Sequence, residues 1–98
     1  MEPIVIRTLI NSVFNIKVLV NTGYQPNSLI NNCFIRRAGI ECIPIKSRPV
    51  EGINGLVSIV DEIAKLNINV NGYKEFLYAY IMKNTLGYNI ILRLLWLK

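Results

Sequence analysis

The chain has 98 residues, 52% of them hydrophobic, and a formal net charge of +5. This length predicts one domain over residues 1–98, near the lower limit for a self-sufficient core, so we expect apolar surface to lie against a partner. No apolar run approaches the ~20 residues that cross a bilayer, which predicts an intracellular protein with no membrane partner. The chain has no histidine, and Cys33 and Cys42 form no Cys-x-x-Cys pair, so we expect no metal and no cofactor.

Val and Ile dominate the first third of the chain, and polar residues interrupt them at short intervals, a pattern typical of β-strands. Ile4 to Ile10 and Val13 to Val20 are predicted strands joined across Asn11-Ser12. Ser28 to Ile30 is predicted to be a short third strand. Asn32 to Ala38 is predicted to form a helical turn, ended by a glycine that accepts the left-handed conformation of a helix cap.

The second half continues the β pattern. Leu66, Ile68 and Val70 alternate with asparagines, which predicts a strand with one buried face. Asn71-Gly72 suits a two-residue hairpin turn, and Phe76 to Met82 is the predicted returning strand. Leu92 to Leu97 is too short for a free helix and is predicted to be a docked one. We expect four aromatic residues to serve as core or interface residues without a ligand role: Phe76, Tyr78, Tyr80 and Trp96.

Four segments, in chain order, carry a family resemblance across nearly the whole chain. They are Val18-Leu19-Val20-Asn21-Thr22-Gly23, the glycine-rich Val50 to Val57, the hairpin from Lys65 to Ile81, and Leu86 to Leu97. The last is similar to Leu-x-Tyr-Asp-Ile-Ile-Leu-Gly-x-Pro-Trp-Leu, the closing element of retrotransposon proteases. Together they resemble the retropepsins, the dimeric aspartic proteases of retroviruses and long-terminal-repeat retrotransposons.

The resemblance implies an all-β fold, a retropepsin-like acid-protease half-barrel with one or two short helices that works as a homodimer. The implied partners are a second copy of the chain and a peptide or polyprotein substrate, in the cytoplasm or in a retroelement particle. Asn21 stands at the position of the family's catalytic aspartate. Thr22 would contact the partner loop, and Gly23 would let the backbone turn tightly. Four residues of the glycine-rich flap are the implied substrate-binding residues: Gly52, Ile53, Asn54 and Gly55.

The family's reaction needs two carboxylates, one from each protomer, that share a proton and act as base and acid. The amide of Asn21 cannot accept a proton from water. Losing acid-base assistance alone costs ~100- to 10,000-fold in rate. No other acidic residue lies in or beside this loop, and without histidine a serine or cysteine nucleophile lacks its usual base. We therefore predict an impaired or inactive protease. A non-catalytic peptide-binding module, an RNA-associated structural piece and a natural aspartate at position 21 remain open alternatives.

The closing element departs from the family form at three positions. Asn89 replaces Asp, Arg93 replaces Gly, and Leu95 replaces Pro. With Asn21, all four changes follow from single G-to-A or C-to-T transitions, which suggests a retroelement copy decayed by cytosine-deamination-type mutation. A long cationic side chain in place of glycine predicts overpacking of ~1 to 3 kcal/mol, and with it a marginal dimer or an unstable monomer.

The positive charge is spread along the sequence. Only Arg36-Arg37 are adjacent, Lys46 and Arg48 are the next closest, and neither group is interleaved with aromatic residues in the sequence. A base-stacking platform would show such interleaving. The sequence therefore predicts a solvated basic surface with no specific nucleic-acid partner, although charge can still favour weak association with RNA.

Overall fold

The computed structural model describes residues 4–11, 14–20, 28–52, 55–70, 72–83, 85 and 87–92. Within these residues the chain forms seven β-strands and one short α-helix, so the predicted all-β class is confirmed. The elements are β1 (Ile4–Ile10), β2 (Phe14–Val20), β3 (Ser28–Asn31), α1 (Asn32–Ala38), β4 (Cys42–Glu51), β5 (Val57–Val70), β6 (Tyr73–Met82) and β7 (Ile90–Leu92).

The sheet order is β1-β2-β7-β3-β6-β5-β4. Strand β1 also pairs with the far end of β5, through Leu9 opposite Asn69 and Ile10 opposite Ile68. The sheet therefore returns on itself as a barrel, and β4 shares with β1 the edge of β5 that faces away from β6. The first half of β5, before Ile63, pairs only with β4, so this hairpin projects beyond the barrel.

Asn11 secures the closure of the barrel. Its backbone N–H donates to the Asn67 carbonyl at 2.7 Å, and its side-chain Oδ1 accepts from the Asn67 N–H at 2.9 Å. Asn11 takes a φ of +52°, a left-handed conformation that asparagine tolerates better than most residues. One turn residue thus ends β1 and ties it to β5.

Helix α1 has a cap at each end. The Asn31 side chain accepts from the Cys33 N–H at 2.8 Å, and Gly39 ends the helix with a φ of +67° while its N–H donates to the Ile35 carbonyl. This confirms the predicted helical turn and its glycine cap. Phe34 and Ile35 are the residues that the helix buries.

Two clusters of buried side chains hold these elements together. The barrel core comprises Ile10, Val18, Val20, Ile30, Phe34, Ile35, Ala64, Leu66, Ile68, Ala79, Ile90 and Leu92. The loop-side cluster comprises Leu19, Leu29, Val50, Val60, Met82 and Ile91, with Tyr80 and Tyr88 packed against it. Adjacent residues of β2, β3 and β7 enter different clusters because successive strand side chains point to opposite faces.

Three expectations need correction. Leu92 ends β7 opposite Val20 instead of starting a helix, and residues 93–97 of that predicted helix lie outside the described residues. Strand β6 begins at Tyr73, three residues before the predicted start. Phe76 and Tyr78 are exposed, so neither is a core residue, and the alternative that they are interface residues stays a prediction. Strand β4 went unpredicted because its two prolines break the strand pattern, and a sheet tolerates proline at an edge.

Candidate functional site

Strands β2 and β3, which precede and follow the segment 21–27 in the sequence, lie on either side of β7. Strand β2 ends at Val20 opposite Leu92, and Leu19 and Leu29 lie on either side of Ile91. Because neighbouring strands are ~4.8 Å apart, the two ends of the segment are held about 10 Å apart. Asn21, Thr22 and Gly23 themselves lie outside the described residues, so their predicted roles stay predictions.

The three flanking strands form a buried apolar frame. Leu19 is 3% exposed, and Leu29 and Ile91 are fully buried. Their side chains pack in the loop-side cluster against Val50 and Val60, which come from the two strands of the β4–β5 hairpin. The frame of β2, β7 and β3 is therefore packed against the base of the glycine-rich hairpin in the loop-side cluster.

The glycine-rich segment forms the turn of the β4–β5 hairpin. Glu51 pairs with Val57, the Gly52 N–H donates to the Leu56 carbonyl at 2.8 Å, and the Gly55 N–H donates to the Gly52 carbonyl at 3.0 Å. Gly55 has a φ of +83°, which explains why glycine is required there. Two of the predicted substrate-binding residues, Gly52 and Gly55, are thus joined in one turn. Ile53 and Asn54 lie outside the described residues.

A hydrogen-bonded network fixes the approach to β7. The Asn31 N–H donates to the Asn89 carbonyl at 2.9 Å, and its side-chain amide donates to Thr85 Oγ1 at 3.2 Å. Thr85 in turn donates to the Tyr88 carbonyl. An arginine of α1, Arg37, donates to Asn89 Oδ1 at 3.4 Å. Asn89, one of the predicted departures from the family form, is therefore a partner of the helix.

A cavity of about 290 Å³ lies between α1 and the base of the hairpin. It was not predicted, because its wall combines four separate segments of the chain. Its lining residues are Asn32, Ile35, Arg36, Cys42, Ser58, Ile59, Val60, Asp61, Glu62, Ile81, Met82 and Lys83. Burial raises the pKa of the Cys42 thiol, Glu62 raises it further, and Arg36 opposes both. Cys42 is therefore a protonated thiol at neutral pH rather than a nucleophile.

Among the described ranges there is no group of three or more cysteine, aspartate or glutamate residues able to hold a metal ion. In the same part of the chain, no helix is long and apolar enough to span a membrane.

Comparison with solved structures identifies the fold. EIAV protease complexed with the inhibitor HBY-793 superimposes with a TM-score of 0.61 at 18% sequence identity, covering 94% of this chain and 82% of that chain. The solution structure of simian foamy virus (mac) protease gives a TM-score of 0.52 at 20% identity, covering 94% and 87%. No family model and no curated protein sequence matches the chain. At these identities the likeness establishes the fold, and the predicted retropepsin-like fold is confirmed.

Proposed function

We propose that the chain is one protomer of a homodimeric aspartic-protease-type domain from a long-terminal-repeat retrotransposon, catalytically impaired because Asn21 replaces the catalytic aspartate. The observation that carries the proposal is the frame of β2, β7 and β3. Strands β2 and β3 of this frame precede and follow the segment with Asn21, Thr22 and Gly23 in the sequence, and the frame shares the loop-side cluster with the glycine-rich hairpin.

In this proposal each protomer supplies half of a site. Two copies of the segment 21–27 meet at a two-fold axis, and the hairpin turn at Gly52 and Gly55 covers an extended peptide. The main chain of such a peptide can pair with strand edges of the cleft. Two Asn21 amides can hydrogen-bond to each other and to a water molecule. They cannot remove its proton, so the site binds a peptide without cutting it.

The test is to restore the carboxylate. The full-length Asn21→Asp variant is compared with the unmodified chain and with Asn21→Ala, using a hydrophobic peptide substrate at mildly acidic pH. We expect no cleavage above background from the unmodified chain and from Asn21→Ala. We expect at least a ~100-fold gain from Asn21→Asp, with inhibition by a statine-containing peptide. Equal cleavage by the unmodified chain and Asn21→Asp would refute the proposed impairment.

Sedimentation and peptide binding separate dimer formation from chemistry. The proposal expects a concentration-dependent dimer, and one peptide bound per two chains at a level that persists in high salt. A monomer that binds no peptide, even as Asn21→Asp, contradicts the shared site. A dimer that binds peptide but stays inactive as Asn21→Asp favours the alternative function, a non-catalytic peptide-binding module of a retroelement polyprotein.

A further inference from the structure

One face of β6 carries three aromatic side chains in a row. Phe76, Tyr78 and Tyr80 occupy alternate positions of the strand, and alternate residues of a strand share a face. Phe76 is 67% exposed and Tyr78 is 59% exposed, whereas Tyr80 is half-buried beside the loop-side cluster. The row therefore runs from the interior out onto open surface.

Cationic side chains are interleaved with these rings in space. Lys65 lies opposite Tyr78 on β5, and its ammonium group is 5.2 Å from the centre of the Phe76 ring. Arg48 of β4 places its guanidinium carbon 5.5 Å from the centre of the Tyr80 ring. Lys74 shares the face, two residues before Phe76. We call these six residues the aromatic–cation face: Arg48, Lys65, Lys74, Phe76, Tyr78 and Tyr80.

Between Lys74 and Tyr80, the charges on this face have one sign, and Asp61 of β5, which shares the face by alternation, lies outside this stretch. From Tyr80 to Lys74, the partners across the strand pair on the same face are Ile63, Lys65, Asn67 and Asn69. None of these four is acidic, and Glu75 belongs to the opposite face by alternation. Asp61 is the nearest acidic residue along β5, beyond Ile63. The face therefore suits a ligand that combines negative charge with flat apolar surfaces.

We propose that the aromatic–cation face binds single-stranded nucleic acid without sequence specificity. Bases stack on Phe76 and Tyr78, and phosphates contact Arg48, Lys65 and Lys74. Stacking needs only the face of a base, so it tolerates any sequence, and cationic side chains beside the rings follow the backbone.

The spacing of the rings favours a single strand over a duplex. Alternate residues of a strand lie about 7 Å apart, roughly twice the 3.4 Å rise between stacked bases along each strand of a duplex. Two successive bases can therefore each meet a ring only when the strand is extended and unstacked. Phe76 and Tyr78, on which the bases would stack, lie outside the loop-side cluster, and the proposal does not depend on residue 21.

Fluorescence anisotropy with a labelled oligouridine tests the proposal. A length of about twelve nucleotides lies within the ~4 to 16 covered by known sheet-based sites. We expect Phe76→Leu and Tyr78→Leu each to weaken binding about 5- to 150-fold, the range for loss of one stacked base. Tyr73→Leu is the matched control, since Tyr73 is an exposed aromatic residue on the opposite face of β6, and it should leave binding unchanged.

Salt dependence tests the cations separately. With three phosphate contacts, the slope of log affinity against log salt should be about −2, and Lys65→Gln should reduce its magnitude by about 0.7. Lys83→Gln removes the same charge away from the face and should leave the slope nearly unchanged. Circular dichroism checks that each variant folds. If a ring variant does not fold, Lys65→Glu provides the test instead, because it should weaken binding more than Lys65→Gln does.

Three results would overturn the proposal. One is an equal loss of affinity in Tyr73→Leu and Tyr78→Leu, or an equal loss of salt dependence in Lys83→Gln and Lys65→Gln. Either would assign binding to diffuse charge. Another is equally tight binding of inorganic polyphosphate, which has no bases. The last is self-association that disappears in the ring variants while oligouridine does not bind, which would make a second copy of the chain the occupant of the face.

Discussion

The frame around β7 and the β4–β5 hairpin beside it are built in opposite ways. All three residues of β7 are fully buried, between strands on both sides. The hairpin instead exposes Leu56, Val57 and Ile59 at 65%, 64% and 70%, and this part of β5 pairs only with β4. The hairpin reaches the frame through Val50 and Val60 in the loop-side cluster.

This difference separates a fixed part of the molecule from an adjustable one. Opening the hairpin exposes few buried side chains, whereas moving β7 disrupts both hydrophobic clusters at once. Regions with few buried apolar contacts open at lower free energy than the core. The proposed function needs this division, because a residue at position 21 must be held in place while the cover over a peptide opens and closes.

The difference between the frame and the hairpin is tested most strongly by truncating one isoleucine in each region. Ile91→Ala should lower the free energy of unfolding by about 2 to 5 kcal/mol, because Ile91 is fully buried between Leu19 and Leu29. Ile59→Ala removes the same atoms from a side chain that is 70% exposed. It should therefore change the free energy of unfolding by less than about 0.5 kcal/mol. Urea unfolding measures both. Similar losses would mean that the hairpin is as much a part of the core as β7.

Replacing Asn11 tests whether the closure of the barrel belongs to the fixed part. Asn11→Ala should cost about 1 to 3 kcal/mol, since it loses the bond from the Asn67 N–H and places alanine at a φ of +52°. Asn11→Gly loses the same bond but accepts the backbone angle, so it should cost less. Equal unfolding free energies for the two variants would show that strain contributes nothing here.

Gly55→Ala should affect the hairpin alone. Alanine at a φ of +83° is strained by about 1 to 2 kcal/mol, and the turn bonds between Gly52 and its partners should open more often. Hydrogen exchange at the Gly52 amide should accelerate about 5- to 30-fold, while exchange at Ile91 stays unchanged. Accelerated exchange at both amides would mean that hairpin and frame open together.

The sequence predicted β1 and α1 better than it predicted β7, whose Leu92 was expected to start a helix, or the projecting hairpin. The bounds of β1 and α1 and the cap at Gly39 were predicted correctly, because runs of Val and Ile and a capping glycine are local features. Strand β4 was missed because Pro44 and Pro49 are tolerated only through its position at an edge, which no local pattern encodes.

The candidate site was predictable only where it depends on one segment. The glycine turn could be located from its composition, whereas the aromatic–cation face joins Lys65 to Phe76 through the register of two strands. Neither Arg36-Arg37 nor Lys46 with Arg48 is interleaved with aromatic residues along the sequence, and the interleaving exists only across the sheet. The cavity beside α1 was missed for the same reason.

Thr8→Val probes the interior of the barrel with a smaller effect. Thr8 is 1% exposed, and within the described residues its hydroxyl has no hydrogen-bond partner. Valine has nearly the same shape and no polar atom to desolvate, so we expect a gain of about 1 kcal/mol in the free energy of unfolding. Thr8→Ser keeps the hydroxyl, loses a methyl group, and should be destabilising. A lower free energy of unfolding for Thr8→Val would indicate that the hydroxyl has a hydrogen-bond partner.

Asn89→Asp should have the smallest effect, and it tests the hypothesis that Asn89 replaces an aspartate. A carboxylate at this position would accept from Arg37, which now reaches Asn89 Oδ1 at 3.4 Å, and an exposed pair of this kind contributes about 0.2 to 1 kcal/mol. The arginine should lower the pKa of the new carboxyl in the folded state. The gain should therefore be complete above the ordinary aspartate pKa of about 3.9 and disappear as pH falls through the lowered value. Urea unfolding at several pH values measures this.

The control for that prediction is a double-mutant cycle with Arg37→Gln, which should abolish the gain, as should high salt. A gain that depends on Arg37 would indicate that Asn89 marks a lost ion pair between α1 and the approach to β7. The decay hypothesis for Asn21 expects such losses throughout the chain, because random transitions do not distinguish a catalytic carboxylate from a structural one. If Asn89→Asp is neutral or destabilising at neutral pH, the frame has no lost ion pair at this position. The decay hypothesis would then rest on Asn21, Arg93 and Leu95 without support from position 89.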